Sequence, residues 1–422
     1  MTVRLEDGDL ARLDGAEGDA ARMAMEVVVA MAEAVGADRL VDVASAHIDG
    51  CLYHGQVSLD FAERLVAGGG TVRVPTTLNV GSLDRLHPKL YRGDAATGRA
   101  AGRLMDVYVE LGCRPTWTCA PYQMDARPAF GEHVAWAESN AFVFANSVLG
   151  ARTDRYGDFI DISAAITGRA PHAGLHLDEH RRGELVFRLT GLPDRLLDED
   201  VLYPVLGHLV GLEAGTHVPV IDGLPAGVPE DRLKALGAAA ASSGSVGLFH
   251  AVGITPEAPT LQAALRGGDP LRTIEVTPRR LAGARDSLTT ATGDRLDAVS
   301  VGTPHFSPAE FERLAELLDG ARVADGVAFY VSTGRSVLAE AESRGWAEAC
   351  RRAGITIVTD TCTYVTPILR SDAGVVMTNS GKWAYYAPGN LGVRVVFGSL
   401  AECVRSAVEG TVWRDTGLWT DG

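Results

Sequence analysis

The sequence predicts an α/β protein of several lobes, in which helices cover mostly parallel sheets. From residue 297 onwards, strand-like and helix-like segments alternate in the order βαβα, which is typical of a parallel sheet. Glycine and alanine are frequent, whereas aromatic residues reach only 6% of the chain, and this suits closely packed α/β layers. A chain of 422 residues also exceeds what one hydrophobic core usually serves, so two or three lobes are expected.

The first part of the chain predicts strands that end in polar loops. Apolar residues at helical spacing predict a buried helix over residues 18–36. In α/β sheets, ligands bind at the loops that follow the carboxyl ends of the strands, so these polar loops are candidate binding regions. The further predicted elements are a strand at 39–44, a helix at 58–67, a strand at 71–79, a helix at 94–111, a short strand reaching residue 119, and a helix over 130–149 that Gly150 ends.

Glycine and proline turn the chain repeatedly between residues 168 and 174, which predicts a lobe boundary. We therefore expect lobes over 1–170, 171–295 and 296–422. Their predicted elements are strands at 184–190, 218–222, 298–301, 326–332, 356–359 and 393–397, helices at 202–212, 308–318 and 337–353, a helix and strand within 231–250, and a loop at 302–305.

Charge and motif content exclude several classes of protein. A formal charge of −15 disfavours a nucleic-acid surface, which needs clustered lysine and arginine. The first residues lack the apolar core of a secretory signal, and no run of eighteen apolar residues predicts a membrane span. Six cysteines without tight spacing favour reduced thiols in a cytoplasmic protein. Phosphate-loop, Rossmann, hydrolase-elbow and zincin motifs are absent from the sequence.

Residues 115–162 form the strongest candidate for a site. Between Val134 and Leu149 an apolar segment carries several polar side chains. Burying such groups costs free energy unless each finds a partner, so we expect the segment to line a site. The polar side chains are Glu138, Ser139, Asn140, Asn146 and Ser147.

Cys51, Cys119 and Cys362 each lie where a predicted strand gives way to a loop. Three thiolates from separate loops can hold an iron–sulfur cluster and leave one iron open to substrate. The alternative is that they are buried small residues, as unpaired cysteines often are. The cysteines at 113, 350 and 403 fall in or beside predicted helices, where packing is the simpler interpretation.

Two histidines, His47 and His54, flank Cys51, and His305 lies in a predicted loop after a strand. Imidazole changes charge near neutral pH, so these histidines are candidate acid–base groups or metal ligands. The alternative for each is a surface or hydrogen-bonding residue.

Lys382 follows Asn379-Ser-Gly in a loop after a predicted strand. A lysine there can bind a carboxylate or phosphate, or form a Schiff base with pyridoxal phosphate; the alternative is a surface lysine in a turn. Arg152 and Arg155 can clamp a carboxylate, or they form the solvated end of a helix.

Several separated motifs together resemble the large, catalytic portion of aconitase X, a branch of the aconitase superfamily. The resemblance runs almost from end to end of the chain. The motifs are Cys51-Leu-Tyr-His-Gly55, Pro75-Thr-Thr-Leu-Asn79, Trp117-Thr-Cys-Ala-Pro-Tyr122, Trp136-Ala-Glu-Ser-Asn-Ala141, Ala145-Asn-Ser-Val-Leu-Gly-Ala-Arg-Thr153, Gly174-Leu-His176 and Thr378-Asn-Ser-Gly-Lys382.

The resemblance implies α/β/α lobes around a central cleft, and a dehydratase whose cluster iron acts as a Lewis acid on the leaving hydroxyl. Family members divide into cis-3-hydroxy-L-proline dehydratases and mevalonate 5-phosphate dehydratases. The archaeal, phosphate-using form has cysteine where this chain has Thr303, and it lacks the cysteine that is here Cys51. The chain therefore resembles the hydroxyproline branch, and Cys51, Cys119 and Cys362 become the expected ligands.

Two departures from the wider superfamily shape the expected cofactor and partner. The CxxC pair of ordinary aconitases is absent, and the hydroxyproline branch implies a [2Fe–2S] cluster instead. The chain stops where fused members continue into a small swivelling domain that carries a catalytic serine. We therefore expect a separate small subunit, which supplies the base that removes the Cα proton.

The same resemblance implies roles for individual side chains. Amides, with Arg152 or Lys382, would orient the substrate carboxylate and ring nitrogen, and His47 or His54 would handle protons near the leaving hydroxyl. Mevalonate 5-phosphate dehydration, a pyridoxal-phosphate enzyme using Lys382 and a non-catalytic cluster-binding subunit are the alternatives. The candidate substrate-binding residues are Asn79, Ser139, Asn140, Asn146, Ser147, Arg152, Asn379 and Ser380, and the candidate catalytic residues are His47, His54 and Lys382.

Overall fold

The computed structural model describes residues 3–125, 127–415 and 417–419, which include every predicted site residue. The chain divides into two compact units. The first comprises Met1–Leu83 and Gly93–Arg182, and the second comprises Asp84–Arg92 and Gly183–Gly422. The division into three lobes stays a prediction.

The first unit packs helices against two small sheets. Its elements are α1 (Asp7–Leu13), α2 (Asp19–Ala34), β1 (Leu40–Asp42), β2 (Ala46–Ile48), α3 (Gln56–Ala67), β3 (Thr76–Leu78), α4 (Ala95–Glu110), β4 (Ala135–Trp136), α5 (Ser139–Phe144), a π-helical turn (Ala145–Leu149), α6 (Ile160–Thr167) and β5 (Arg169–Pro171). Strands β3, β2 and β4 form a parallel sheet in that order, whereas β1 and β5 pair antiparallel.

Local sequence explains where the first unit's helices begin and which face they bury. The Asp94 side chain accepts hydrogen bonds from the Ala96 and Thr97 amides and so caps α4. Along α4, Leu104, Met105 and Tyr108 lie at helical spacing and are fully buried in the core. The same core includes Ile48 of β2 and Leu78 of β3, so α4 and the parallel sheet share one hydrophobic core.

The second unit contains two larger parallel sheets. Its elements are β6 (Leu185–Leu189), α7 (Asp194–Leu197), α8 (Leu202–Ala214), β7 (Pro219–Asp222), α9 (Glu230–Ser243), β8 (His250–Ala251), α10 (Leu261–Ala264), β9 (Arg272–Val276), α11 (Pro278–Ser287), β10 (Ala298–Phe306), α12 (Pro308–Leu318), β11 (Ala328–Thr333), α13 (Arg335–Ser343), α14 (Trp346–Ala353), β12 (Ile355–Val358), β13 (Val375–Thr378), α15 (Gly381–Leu391), β14 (Arg394–Phe397) and α16 (Leu400–Glu409). The sheet orders are β8-β7-β6-β9 and β12-β11-β10-β13-β14.

The predicted fold class, α/β with mostly parallel sheets, is confirmed. All strand pairs except β1–β5 among the named strands are parallel. Central strand β10 is buried along its whole length, as expected for a parallel strand covered on both faces. Within the described ranges, none of the helices has the length and apolar character needed to cross a membrane.

Four predicted elements were wrong in detail. In place of the short strand reaching residue 119, the described residues form an isolated β-bridge between Thr77 and Arg114. The helix over 130–149 begins only at Ser139, because residues 135–136 pair with β2 instead. The helix over 337–353 is divided by Gly345, which has a left-handed φ of 79°. The loop at 302–305 is part of β10, whose register shifts between Val301 and Phe306.

Replacing Gly302 by alanine is expected to destabilise the second unit strongly. Gly302 has a φ of +87°, and a Cβ there would lie 2.2 Å from the Ser332 carbonyl oxygen on β11. Strain and overpacking together should cost about 4 kcal/mol of unfolding free energy, measured by urea denaturation. Gly267→Ala is the matched control, because Gly267 has a φ of +75° with no heavy atom within 4 Å of the added Cβ, and it should cost about 1 kcal/mol. Equal losses in the two variants would contradict the clash.

Candidate functional site

In the first unit, the carboxyl ends of β2, β3 and β4 carry several of the predicted site residues. Register pairs His47 with Thr77 on β3 and with Trp136 on β4. Asn79 follows β3 directly, and Glu138 follows β4 by one residue. Because parallel strands end at the same edge of a sheet, Asn79 and Glu138 follow their strands at one edge of this sheet.

His47 is fully buried and held as a neutral imidazole. Its Nδ1 lies 2.8 Å from Thr77 Oγ1, and that hydroxyl is 3.4 Å from the Ala46 carbonyl, to which it donates. His47 Nδ1 therefore donates to Thr77, and Nε2 carries the lone pair. Burial lowers the pKa of His47 to about 4, although Glu138 opposes the shift. His47 Nε2 has no hydrogen-bond partner among the described residues, so it can accept a hydrogen bond from a ligand.

Asn79 is bound on one side and open on the other. Its Nδ2 donates to Asp49 Oδ1 over 2.5 Å, while its Oδ1 is buried and finds no partner in the part of the chain that the structure describes. A buried acceptor without a donor costs free energy, and such atoms mark places where a ligand or water binds. Asn79 Oδ1 is thus a second buried acceptor in the first unit, in addition to His47 Nε2.

The loop that carries Cys51 is anchored by Asp161. One carboxylate oxygen of Asp161 accepts the amides of Asp49, at 2.7 Å, and Gly50, at 3.0 Å. The Cys51 Sγ faces the carbonyl oxygens of Ile48 and Asn79, each at 3.4 Å. Burial, with Asp49 and Asp161 nearby, raises the pKa of the Cys51 thiol. Its thiolate would therefore form only with a cation to stabilise it.

Cys119 lies in a loop that Asn140 holds. Asn140 Nδ2 donates to the Cys119 carbonyl over 2.6 Å, and Asn140 Oδ1 accepts from the Tyr122 hydroxyl over 2.8 Å. Asn140 is itself on the first turn of α5, where Glu138 caps the helix by accepting the Ala141 amide at 2.7 Å. Asn140, one of the predicted site residues, thus supports Cys119 through its backbone carbonyl.

Asn146, which lies on the π-helical turn, is bound to protein groups at both ends of its amide. Its Oδ1 accepts from the Thr153 amide at 3.1 Å and from Arg181 Nη1 at 2.9 Å, and its Nδ2 donates to the Thr153 carbonyl at 2.9 Å. Ser147 is buried beside it. These bonds fasten the turn before Arg152, which is a structural use of Asn146.

Two predicted residues lie at more open positions. Arg152 donates to Asp178 Oδ1 at 2.5 Å and to the His176 carbonyl at 3.2 Å, so it is already paired with a carboxylate. His54 is exposed, with Nε2 3.9 Å from Asp158 Oδ2. A substrate carboxylate would have to compete with Asp178 for Arg152.

In the second unit, His305 and Cys362 come together. A ring nitrogen of His305 and the Cys362 Sγ lie within 4.8 Å of each other, and both residues are buried. His305 Nε2 is 3.2 Å from the Thr361 carbonyl, which orients the ring. Thiolate and imidazole are ligands of iron and zinc, so the pair fits a metal or an iron–sulfur cluster.

Asn379, Ser380 and Lys382 follow β13 at the same strand-end region of the second unit. The Ser380 hydroxyl donates to the Thr303 carbonyl and caps α15 by accepting the Trp383 amide at 3.0 Å. Lys382 is buried on the first turn of α15, and Asn379 is half-buried. Asn379 and Ser380 line a small pocket with Thr303, whose buried Oγ1 has no partner within the described ranges.

The sequence marks His305 as one of three histidines that could be acid–base groups or metal ligands, but His305 is not among the final candidate catalytic residues or the expected cluster ligands. The structure places it beside Cys362, one of the expected ligands. The available signal was the strand-end segment Gly302-Thr-Pro-His305, which precedes a capped helix. Neither a motif nor a spacing relates residues 305 and 362 in the sequence.

Comparison with protein families matches nearly the whole chain. The profile described as the aconitase X first domain matches residues 2–179, the second domain matches 183–286 and the third domain matches 296–409. The chain is also similar to a solved structure, Thermococcus kodakaraensis aconitase X in its holo-form, with a TM-score of 0.86 and 34% identity. That likeness covers 96% of this chain and 100% of the other.

Curated relatives fall into two groups. The chain is 46% identical to a cis-3-hydroxy-L-proline dehydratase of Pseudomonas aeruginosa over 96% of its length and 70% of the relative's. It is 43% identical to an enzyme of the same name from Hypocrea jecorina, over 97% and 69%. A phosphomevalonate dehydratase large subunit of Thermococcus kodakarensis is 36% identical, over 89% and 92%.

Proposed function

This chain belongs to the aconitase X family and is a hydro-lyase, and we propose that it dehydrates cis-3-hydroxy-L-proline to Δ1-pyrroline-2-carboxylate. The choice of substrate rests on sequence identity. This chain is 46% and 43% identical to two dehydratases of that name, and 36% identical to a phosphomevalonate dehydratase large subunit. Thr303 supports the same branch, because the resemblance places cysteine there in the phosphate-using form.

The proposed cofactor is an iron–sulfur cluster of the [2Fe–2S] type, held by Cys51, Cys119 and Cys362. Burial of all three cysteines supports this ligand set, as does the imidazole of His305 beside Cys362. When bound, such a cluster supplies a Lewis acid for the leaving hydroxyl. The surroundings of Cys51 are less suited to a ligand when iron is absent. The carbonyl oxygens near its sulfur accept a hydrogen bond from the thiol, so they favour the protonated form unless iron binds.

The chain's own residues would bind and orient the substrate. Asn79 Oδ1 would accept a hydrogen bond from the ring N–H, and His47 Nε2 would accept one from the 3-hydroxyl proton, since both atoms are buried acceptors without a partner among the described residues. A neutral His47 orients that hydroxyl and does not protonate it, because its pKa is about 4. His54 is the second candidate for handling this proton, at an exposed position.

Binding of the substrate carboxylate would fall to residues that follow β13, with Arg152 as the alternative. Lys382 carries a positive charge for it, and Asn379 and Ser380 supply hydrogen bonds. Ser139 and Asn140 on α5, with Asn146 and Ser147 on the π-helical turn, are the further substrate-binding residues proposed in the first unit. Loss of the Cα proton and of the 3-hydroxyl, together one water, gives an enamine that tautomerises to the product.

A small subunit is the proposed partner, and it would supply the base for the Cα proton. The name "large subunit" of the Thermococcus kodakarensis relative, of which this chain covers 92%, supports this partner. The proposed location is the cytoplasm, because the six cysteines, all within the described ranges, lie outside disulfides, as in a reducing compartment.

The test is anaerobic co-expression with a small aconitase X subunit, iron and sulfide analysis, and dehydration assays on 3-hydroxyproline isomers and on mevalonate 5-phosphate. We expect bound iron and sulfide, and loss of one water from cis-3-hydroxy-L-proline. Turnover of mevalonate 5-phosphate alone would assign the chain to the other branch. Turnover of neither substrate by an iron-loaded complex would refute the proposed reaction.

A further inference from the structure

Lysine is rare in this chain, and its few positions are unevenly placed. Of the 39 lysines and arginines only three are lysines, at 89, 234 and 382. Lys89 is exposed, whereas Lys234 and Lys382 are both buried in the second unit. Since the chain uses arginine for nearly every surface cation, a buried lysine indicates a position that needs a compact ammonium instead of a planar guanidinium.

Lys234 lies on α9 with only 2% of its surface exposed, and each of its three N–H donors has an acceptor. Its Nζ is 2.9 Å from Asp231 Oδ1, contacts Glu310 Oε2 and donates to the His305 carbonyl oxygen over 3.3 Å. Burial lowers the pKa of Lys234, but the two carboxylates raise it by more, so the ammonium stays charged.

The same carboxylates bind the backbone just beyond His305. Ser307 donates its hydroxyl to Asp231 Oδ2 at 2.5 Å and its amide to Glu310 Oε2 at 2.8 Å. On the other side of His305, the Thr303 carbonyl is held by the Ser380 hydroxyl. The segment from 303 to 307 is therefore fixed at three points, and the central one is the His305 carbonyl on Lys234.

Stability alone does not account for this arrangement. Burying the Lys234 ammonium beside Asp231 and Glu310, whose side chains are 28% and 23% exposed, costs free energy that the attraction among the three groups rarely exceeds. Apolar side chains of the same volume often serve as well. Lys234 and Glu310 also line the small pocket that contains Thr303, Asn379 and Ser380. The ion network thus lies between two helices and directly behind the strand end that presents His305.

We propose that Lys234 is a positioning residue whose ammonium, through the His305 carbonyl, sets the orientation of the His305 imidazole beside Cys362. Asp231 and Glu310 hold that ammonium in place and fasten residue 307. This inference shares one premise with the proposed function, namely that His305 belongs to a metal-binding active site. It requires that Lys234 influence that site by orienting His305.

A double-mutant cycle tests the inference in the complex with the small subunit. Lys234→Met should lower kcat about 10- to 100-fold with KM changed less than about twofold, and should speed iron release to a chelator, as loss of a supporting residue does in metal sites. In a His305→Ala background, Lys234→Met should change kcat and iron release little further, because the imidazole that Lys234 orients is already absent. Lys89→Met is the matched control and should leave kcat and iron release unchanged.

Two further measurements cover the case in which Lys234→Met does not fold. The triple variant Lys234→Met/Asp231→Asn/Glu310→Gln removes the ammonium without leaving a buried unpaired carboxylate, and it should show the same changes in kcat and iron release. In the wild-type complex, acetylation followed by mass spectrometry should modify Lys89 rapidly and Lys234 only on unfolding.

Three outcomes would overturn the inference. The first is a loss of kcat in the Lys234→Met/His305→Ala variant that equals the product of the losses in the two single variants. The second is an unchanged rate of iron release in the Lys234 variants. The third is acetylation of Lys234 as fast as that of Lys89. Iron release and acetylation need no substrate, so they test the role of Lys234 even if neither proposed substrate is turned over.

Discussion

Replacing Cys362 by alanine is expected to remove the iron from the protein and, with it, the dehydratase activity. Cys362 is buried, and its Sγ lies within 4.8 Å of a ring nitrogen of His305. Loss of a Lewis acid withdraws several kcal/mol of transition-state stabilisation, which corresponds to a fall in kcat of at least about 10³-fold. Iron and sulfide content, the visible spectrum and the dehydration rate measure the effect.

Cys350→Ala is the matched control for this prediction. Cys350 is equally buried, but it lies on α14 in the hydrophobic core of the second unit. The change should lower the melting temperature without altering the iron content per folded complex. Full iron and activity in Cys362→Ala would exclude Cys362 as a ligand, and loss of iron from both variants would indicate a general loss of structure.

Replacing Asp161 by alanine is expected to destabilise the first unit and to release the loop that carries Cys51. The fully buried carboxylate accepts three backbone amides, those of Asp49, Gly50 and Ile162. Leaving these donors buried and unpaired should cost about 4 kcal/mol of unfolding free energy. Urea denaturation measures that loss, and the reactivity of Cys51 with a thiol reagent measures the release of the loop.

Asp161→Asn should be much milder than the alanine variant. The amides of Asp49 and Gly50 both bind Oδ2, so one amide oxygen can accept both of them. Burial raises the pKa of Asp161 to about 6, so a neutral side chain also avoids the cost of burying its charge. Asp158→Ala, a partly exposed neighbour, is the control and should cost less than about 1 kcal/mol. An alanine variant as stable as this control would show that Asp161 does not hold the loop.

Elements marked by local signals were predicted closely. Helix α12 was expected over 308–318 and is found there, because Ser307 and Glu310 form a capping box and Pro308 occupies the first turn. Gly150 ends the π-helical turn with a left-handed φ of 69°, also as expected. Such signals act between neighbours in the chain, so they can be read without knowing the fold.

Errors arose where distant segments decide the local structure. Residues 135–136 lie within an apolar run that suits a helix, yet they pair with β2, which lies almost ninety residues earlier in the chain. Gly302 suggested a loop, but β11 pairs with residues 298–301 and again with Phe306, so β10 continues across the register shift. Propensity is a weak prior that pairing and burial override.

The sequence by itself determined the α/β class, the family resemblance and the residue types of the candidate site, because periodicity, capping and motif content are properties of neighbouring residues. Only the tertiary structure decided what each polar group binds: Asn146 meets Arg181, and His305 meets both Cys362 and Lys234. These partners are separated by 35 to 71 residues. Their proximity comes from the packing of strands and helices, which carries no short-range signature in the chain.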